Sequence, residues 1–146
     1  MLHRLLKNKW HFFCLTLALS AFACDEEYVC PVPDVGHFLF DVRISSHEVM
    51  TGTLKAHFGY KEHGVMVYHY FDKEVYAFDA TCPNDAECIA GGVVAFDGAG
   101  KATGTCQRCK AQYNLMDGKH ASKKLRLRQY AANPMPNATD YYQVSN

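Results

Sequence analysis

The sequence predicts an all-β domain made of short antiparallel strands, and two observations support that prediction. Apolar and polar residues alternate with a period of two in several stretches, a pattern typical of strands with one buried face. Tyrosine and phenylalanine, which are favoured in strands, occur nine times each among 146 residues. No amphipathic helix of useful length is evident. We therefore expect roughly eight to ten strands in a small antiparallel β-sandwich.

The strands are predicted from local patterns in chain order. Phe38, Phe40, Val42 and Ile44 alternate with more polar positions, which indicates a half-buried first strand. Apolar runs separated by turn residues predict two hairpins later in the chain. The further predictions are two short strands on either side of Gly52, hairpins 65–70 with 75–78 and 93–96 with 101–105, a strand over 125–130 with Leu125 and Leu127 inward, and a final edge strand over 140–144.

The N-terminal 23 residues have the features of a signal peptide. A positively charged start precedes the apolar run 12–22, which is too short to span a membrane as a helix. Small residues at Ala21 and Ala23 then suit a signal peptidase. Removing residues 1–23 leaves 12 basic and 15 acidic residues. This balance gives no support for a nucleic-acid-binding surface.

Cys24 directly follows that cleavage site, and this arrangement resembles a bacterial lipoprotein box. The resemblance implies acylation of Cys24 and a membrane-anchored protein on the periplasmic or cell-surface face. Cleavage by an ordinary signal peptidase, with Cys24 incidental, is the alternative. Residues 24–36 contain Pro31 and Pro33, which favour an extended chain, and they predict a tether before a domain over 37–146.

The chemistry of the chain is concentrated between Cys82 and Gly118. Two segments, Cys82-Pro83-Asn84 and Cys106-Gln107-Arg108-Cys109, each follow a predicted hairpin, and Cys88 lies shortly after the first. Thiolates bind zinc and iron–sulfur centres well, and two loops can present them from opposite sides. The Cys-x-x-Cys pair alone does not distinguish zinc, clusters and disulfides.

This stretch resembles the cluster-binding half of a Rieske domain. Residues 78–83 are similar to the family's entry into its first loop, and Cys106-x-x-Cys109, Tyr113 and Gly118 are similar to its second. The resemblance implies a Rieske-like fold with both loops at one end, a [2Fe–2S] cluster and electron transfer. However, Asn84 and Cys109 stand where the family has its two histidine ligands. Cys82, Cys106 and Cys109 then match ligand positions.

Cys88 is the fourth candidate ligand, because the family often carries an additional cysteine in its first loop. Three states follow for the four cysteines: a [2Fe–2S] cluster, a structural zinc site, or disulfides without metal, which an exported protein can keep. The hypotheses for function are a membrane-anchored electron carrier with an unknown redox partner, or a metal-free or zinc-stabilised binding module on the cell surface. No catalytic grouping is evident, so we do not expect an enzyme.

Overall fold

The computed structural model describes residues 27–44, 51–70 and 74–146. Within these ranges it contains nine strands, a six-residue helix and a short 3-10 turn. The strands are β1 (Leu39–Arg43), β2 (Thr51–Lys55), β3 (Val65–His69), β4 (Val75–Asp79), β5 (Val94–Phe96), β6 (Thr103–Cys106), β7 (Gln112–Asn114), β8 (Gln129–Pro134) and β9 (Tyr141–Ser145); the helix α1 covers Ala86–Gly91 and the 3-10 turn covers Tyr60–Glu62. The predicted all-β class is confirmed.

The strands form two antiparallel sheets. The larger has the order β1-β9-β8-β4-β3-β2, and the smaller has the order β5-β6-β7. Strand β8 belongs to two pairings, because its start pairs with β4 and the rest pairs with β9. The smaller sheet carries the second cysteine loop between β6 and β7.

Strand β3 lies at the centre of the packing, and all five of its residues are buried. Because neighbouring side chains in a strand point to opposite faces, Met66 and Tyr68 pack into one apolar core while Val65 and Val67 pack into another. The first core contains the cysteines and the smaller sheet. The second contains β1, β9 and two phenylalanines outside the strands, Phe38 before β1 and Phe58 after β2. The smaller sheet, which carries the second cysteine loop, therefore packs against one face of the larger sheet.

Several strand predictions are confirmed, including the first strand and both hairpins. In β1 the side chain of Val42 is buried while those of Leu39, Asp41 and Arg43 are exposed, as the alternation predicts. The turn predicted around residues 72–74 lies mostly outside the described residues, as does residue 50 before β2. Around Gly52 the structure has one continuous strand, β2, in place of the two short strands predicted there.

Two predictions near the C-terminus are wrong. The strand predicted over 125–130 begins only at Gln129, because residues 119–126 are held by isolated bridges such as Lys119 to Arg126. Leu127 is nevertheless fully buried. The last strand is not at an edge, since β9 lies between β1 and β8. Local alternation indicates a strand but does not say which strands lie beside it.

The described part of the N-terminal segment lies against the domain. Val29 forms a parallel bridge with Leu125, and the Val32 side chain is fully buried. The Arg128 guanidinium donates to the Val32 carbonyl oxygen and contacts Asp34. Residues 29–34 therefore pack against the segment 119–128. No helix in the described parts of the chain is long and apolar enough to cross a membrane.

Candidate metal centre

The first cysteine loop follows a residue with a buried carboxylate, Asp79. Asp79, at the end of β4, is fully buried and accepts hydrogen bonds from the backbone N–H groups of Tyr60 (2.6 Å) and Thr81 (2.8 Å) and from the Tyr130 hydroxyl (2.7 Å). A buried carboxylate is costly unless such donors satisfy it. These three donors come from separate parts of the chain, so they fix the direction in which the backbone enters Cys82.

The loop then returns to the sheet after ten residues. Thr81 forms an antiparallel bridge with Val93, and the Cys82 N–H donates to the Gly92 carbonyl oxygen at 2.9 Å. Between them α1 carries Cys88. The helix begins after Asp85, whose side chain accepts a hydrogen bond from the Cys88 N–H at 2.7 Å as an N-cap. This short helix turns the Cys88 side chain toward Cys82.

The second loop is a tight turn between β6 and β7. The Cys106 N–H donates to the Ala111 carbonyl oxygen, and the Lys110 N–H donates to the Cys106 carbonyl oxygen. Lys110 has φ of 63°, a left-handed conformation that is uncommon outside glycine. Two contacts tie this loop to the first: the Gln107 N–H donates to the Val93 carbonyl oxygen, and Arg108 pairs with Glu87 at 2.7 Å.

All four predicted ligands come together. The sulfur atoms of the group lie within 4.8 Å of one another, and the Sγ atoms of Cys82 and Cys109 are 3.7 Å apart. We call this group the cysteine cluster; its members are Cys82, Cys88, Cys106 and Cys109. Three of its members are buried, while Cys109 is half-buried. Four converging thiols fit the donor set of a soft metal such as zinc or iron.

Burial is the main influence on the pKa of the Cys82 and Cys88 thiols. It raises the pKa of Cys82 to about 12, and the hydrogen bond from the Tyr113 hydroxyl offsets this effect only in part. Burial also raises the pKa of Cys88, with the nearby Cys109 and Cys82 acting in the same direction. At Cys109 burial is outweighed by the Ala111 N–H and the neighbouring thiols, which lower the pKa. A bound cation would supply the charge that favours all four thiolates.

Two aromatic side chains adjoin the cysteine cluster. The hydroxyl of buried Tyr113 lies 3.3 Å from the Cys82 sulfur. The ring of His120 packs edge-on against Tyr113, and its Nδ1 accepts hydrogen bonds from the N–H groups of Ser122 (3.0 Å) and Lys123 (3.1 Å). Burial, with the nearby Lys123 ammonium, lowers the pKa of His120. His120 thus supports the cluster through Tyr113.

Sequence patterns gave no reason to select His120, because it lies in no spacing motif. The N-cap of α1 did have a signal that our prediction missed: Asp85 followed by Glu87 is typical of a helix start. The residue proposed for lipidation, Cys24, lies outside the described residues. Cys30 is a free, half-buried thiol that is not part of the cysteine cluster.

Comparison with known proteins finds a likeness among solved structures. No protein-family model and no curated protein sequence matches the chain. Among solved structures, one match is a protein from Mycobacterium tuberculosis assigned as the small subunit of an NADH-dependent nitrite reductase. It is 19% identical to this chain with a TM-score of 0.48, and the match covers 77% of this chain and 97% of the other.

Proposed function

We propose that this protein is an exported, membrane-anchored electron carrier with a Rieske-like domain, whose redox centre contains iron held by the cysteine cluster. The observation that carries the proposal is the convergence of four thiol sulfurs within 4.8 Å of one another. Two separate loops supply them, and contacts between these loops set their spacing. Such a preorganised group of soft donors suits a metal centre.

The burial of the cysteine cluster supports a role in electron transfer. Cys82, Cys88 and Cys106 are surrounded by apolar side chains, whereas half-buried Cys109 reaches the surface. A centre of this kind is protected from water over most of its surface and exposed at one edge. An electron could pass through Cys109 to a redox partner that docks beside the second loop.

The Rieske resemblance implies a [2Fe–2S] cluster as the iron centre. Here the four thiolates would hold it, and the cluster would supply one-electron redox chemistry. With two thiolates in place of two neutral imidazoles, its reduction potential should lie below that of a histidine-ligated centre. A structural zinc ion would occupy the same ligands without redox chemistry.

A metal-free form is the second candidate, and the distance between two sulfurs favours it. The Sγ atoms of Cys82 and Cys109 lie only 3.7 Å apart, so small movements would allow a disulfide. Export to an oxidising compartment favours that outcome. The protein would then be a disulfide-stabilised binding module on the cell surface.

The proposed location follows from the lipoprotein-like sequence around Cys24. Acylation of Cys24 would anchor the protein to a bacterial membrane on the periplasmic or cell-surface face. The membrane, through this lipid, and a redox protein in the same compartment are the proposed partners. We propose no nucleic-acid partner.

Metal and sulfide analysis of mature protein purified without oxygen tests the function. We expect a coloured protein with iron and, after the metal is removed, five thiols that can be alkylated, namely the four of the cysteine cluster and Cys30. A mass about four hydrogens below that of the reduced chain, with no metal, would instead mean two disulfides and would contradict electron transfer. A colourless protein with zinc would also contradict it.

A further inference from the structure

The sulfur spacing of the cysteine cluster distinguishes one metal ion from two. We propose that these cysteines hold a single tetrahedral ion of a soft metal, iron or zinc, and not a [2Fe–2S] cluster. This inference rests on the proposed function in one respect, that the cysteine cluster is a metal centre. It departs from what the Rieske resemblance implies.

A single ion fits the observed distances. Four sulfurs about 2.3 Å from one metal are about 3.8 Å from each other in a regular tetrahedron. The Cys82 and Cys109 sulfurs are separated by 3.7 Å, and no pair exceeds 4.8 Å. Even if every pair lay at that upper bound, each sulfur would be about 3 Å from the centre. Metal binding would therefore require shifts of well under 1 Å.

A two-iron cluster does not fit the same distances. Each iron takes two thiolates, so four of the six thiolate pairs join different irons. Bridging sulfides hold the irons apart, and the thiolates point away from the bridge. Taking metal–sulfur bonds of about 2.3 Å, sulfurs on different irons must lie at least about 5 Å apart. No pair in the cysteine cluster reaches that separation.

The contacts between the loops oppose the necessary widening. The Gln107 N–H donates to the Val93 carbonyl oxygen at 2.9 Å, and Arg108 pairs with Glu87 at 2.7 Å. Both contacts join the second loop to the chain that surrounds Cys88. Moving the loops apart to admit a second iron and two sulfides would stretch them.

The Cys82 and Cys109 sulfurs, which lie 3.7 Å apart, also have similar backbone neighbours. Burial acts on both thiols, and the backbone N–H two residues further along acts in the direction that lowers the pKa, that of Asn84 at Cys82 and that of Ala111 at Cys109. An N–H group beside a sulfur favours the thiolate that a metal needs. A closed set of four thiolates leaves no coordination position for a substrate.

The test begins with mature protein purified without oxygen, for which metal and acid-labile sulfide are measured per chain. The protein is then stripped of metal, reduced and titrated with Co²⁺, whose absorption reports tetrahedral thiolate coordination. We expect one iron or zinc per chain with no sulfide, and Co²⁺ binding that saturates at one equivalent. Cys88→Ser should weaken Co²⁺ binding more than about 100-fold, since even supporting residues near a metal contribute about 10–100-fold.

Cys30→Ser is the matched control, because Cys30 is a free thiol outside the cysteine cluster. It should leave stoichiometry and affinity unchanged, which also shows that a cysteine substitution alone does not prevent folding. Two irons and two sulfides per chain would overturn the single-ion proposal while leaving the proposed function intact. No metal, together with no Co²⁺ binding by the reduced chain, would overturn both. One zinc per chain would support the single-ion site and contradict electron transfer.

Discussion

Tyr113 is the side chain through which the domain core acts most directly on a cysteine. Its hydroxyl lies 3.3 Å from the Cys82 sulfur in a buried setting, where a hydrogen bond to a thiolate is strong. Tyr113→Phe removes that donor and keeps the ring. We expect Co²⁺ affinity to fall about 10-fold or more, in the range measured for residues that support metal ligands. A titration monitored by Co²⁺ absorption gives the change, and an unchanged affinity would contradict this role.

Tyr68 offers a control within the same core. It is a buried tyrosine whose hydroxyl has no hydrogen-bond partner among the described residues. Tyr68→Phe removes this unsatisfied group, so we expect the free energy of unfolding to rise by about 1 kcal/mol. Metal affinity should not change. Urea unfolding of the two variants side by side separates the two hydroxyls; a marked loss of stability in Tyr68→Phe would mean that its hydroxyl has a partner.

His120 gives the domain a dependence on pH. Burial and Lys123 lower its pKa, so the folded state takes up a proton less readily than the unfolded chain, whose value is about 6.5. Its contribution to stability is complete above that value and is lost as the pH falls toward the lower folded-state pKa. We expect urea midpoints to decrease below pH about 6.5. His120→Asn keeps an acceptor but cannot be protonated, so it should show a smaller decrease; an equal decrease would assign the effect to other groups.

At the scale of elements, helix α1 positions one member of the cysteine cluster, Cys88. With only six residues it depends on its cap, where Asp85 accepts from the Cys88 N–H. Asp85→Ala should cost about 1 kcal/mol of stability and weaken Co²⁺ binding, because the backbone of a ligand is released. Asp85→Asn retains the cap and should behave like the wild type. Urea unfolding and Co²⁺ titration of both variants test this, and equal behaviour of the two would exclude a capping role.

The elements also show what local patterns can predict. The period of two located β1, whose one buried face selects apolar residues, and apolar runs separated by turn residues located β3 and β4. It did not locate α1, whose six residues are too few for a helical period. The four ligands were predicted from their residue type and from the Rieske resemblance. Their convergence depends on Asp79 and on contacts between the loops, which no sequence spacing describes.

At the scale of the whole molecule, the proposed acylation of Cys24 would determine where the domain works. We predict that Cys24→Ser moves the protein from the membrane to the soluble fraction, because each buried CH₂ of an acyl chain contributes about 0.8 kcal/mol. Fractionation of cells, followed by immunoblotting, measures this. Cys30→Ser should stay with the membrane. A wild-type protein already in the soluble fraction would contradict lipidation.

At this scale, sequence patterns could not predict the order of the strands in the larger sheet. Strand β9 lies between β1 and β8, although it was predicted to be an edge strand. Position in a sheet is decided by long-range pairing, such as that of Val144 with Phe40 and with Ala132. Similarly, the N-terminal segment has the composition of a free tether, but Val29 pairs with Leu125.

The pairing of Val29 with Leu125 limits how far the domain could move from a lipid attached at Cys24. If Cys24 is acylated, only four residues lie between it and Val29, and the five Cα-to-Cα steps of a fully extended chain span about 17 Å. A domain of this size is roughly 30–35 Å across, so the linker between Cys24 and Val29 is shorter than the width of the domain. This linker joins the domain beside the segment 119–128, in which His120 contacts Tyr113. The domain would therefore stay close to the membrane surface, and a redox protein of the same compartment would have to meet it there.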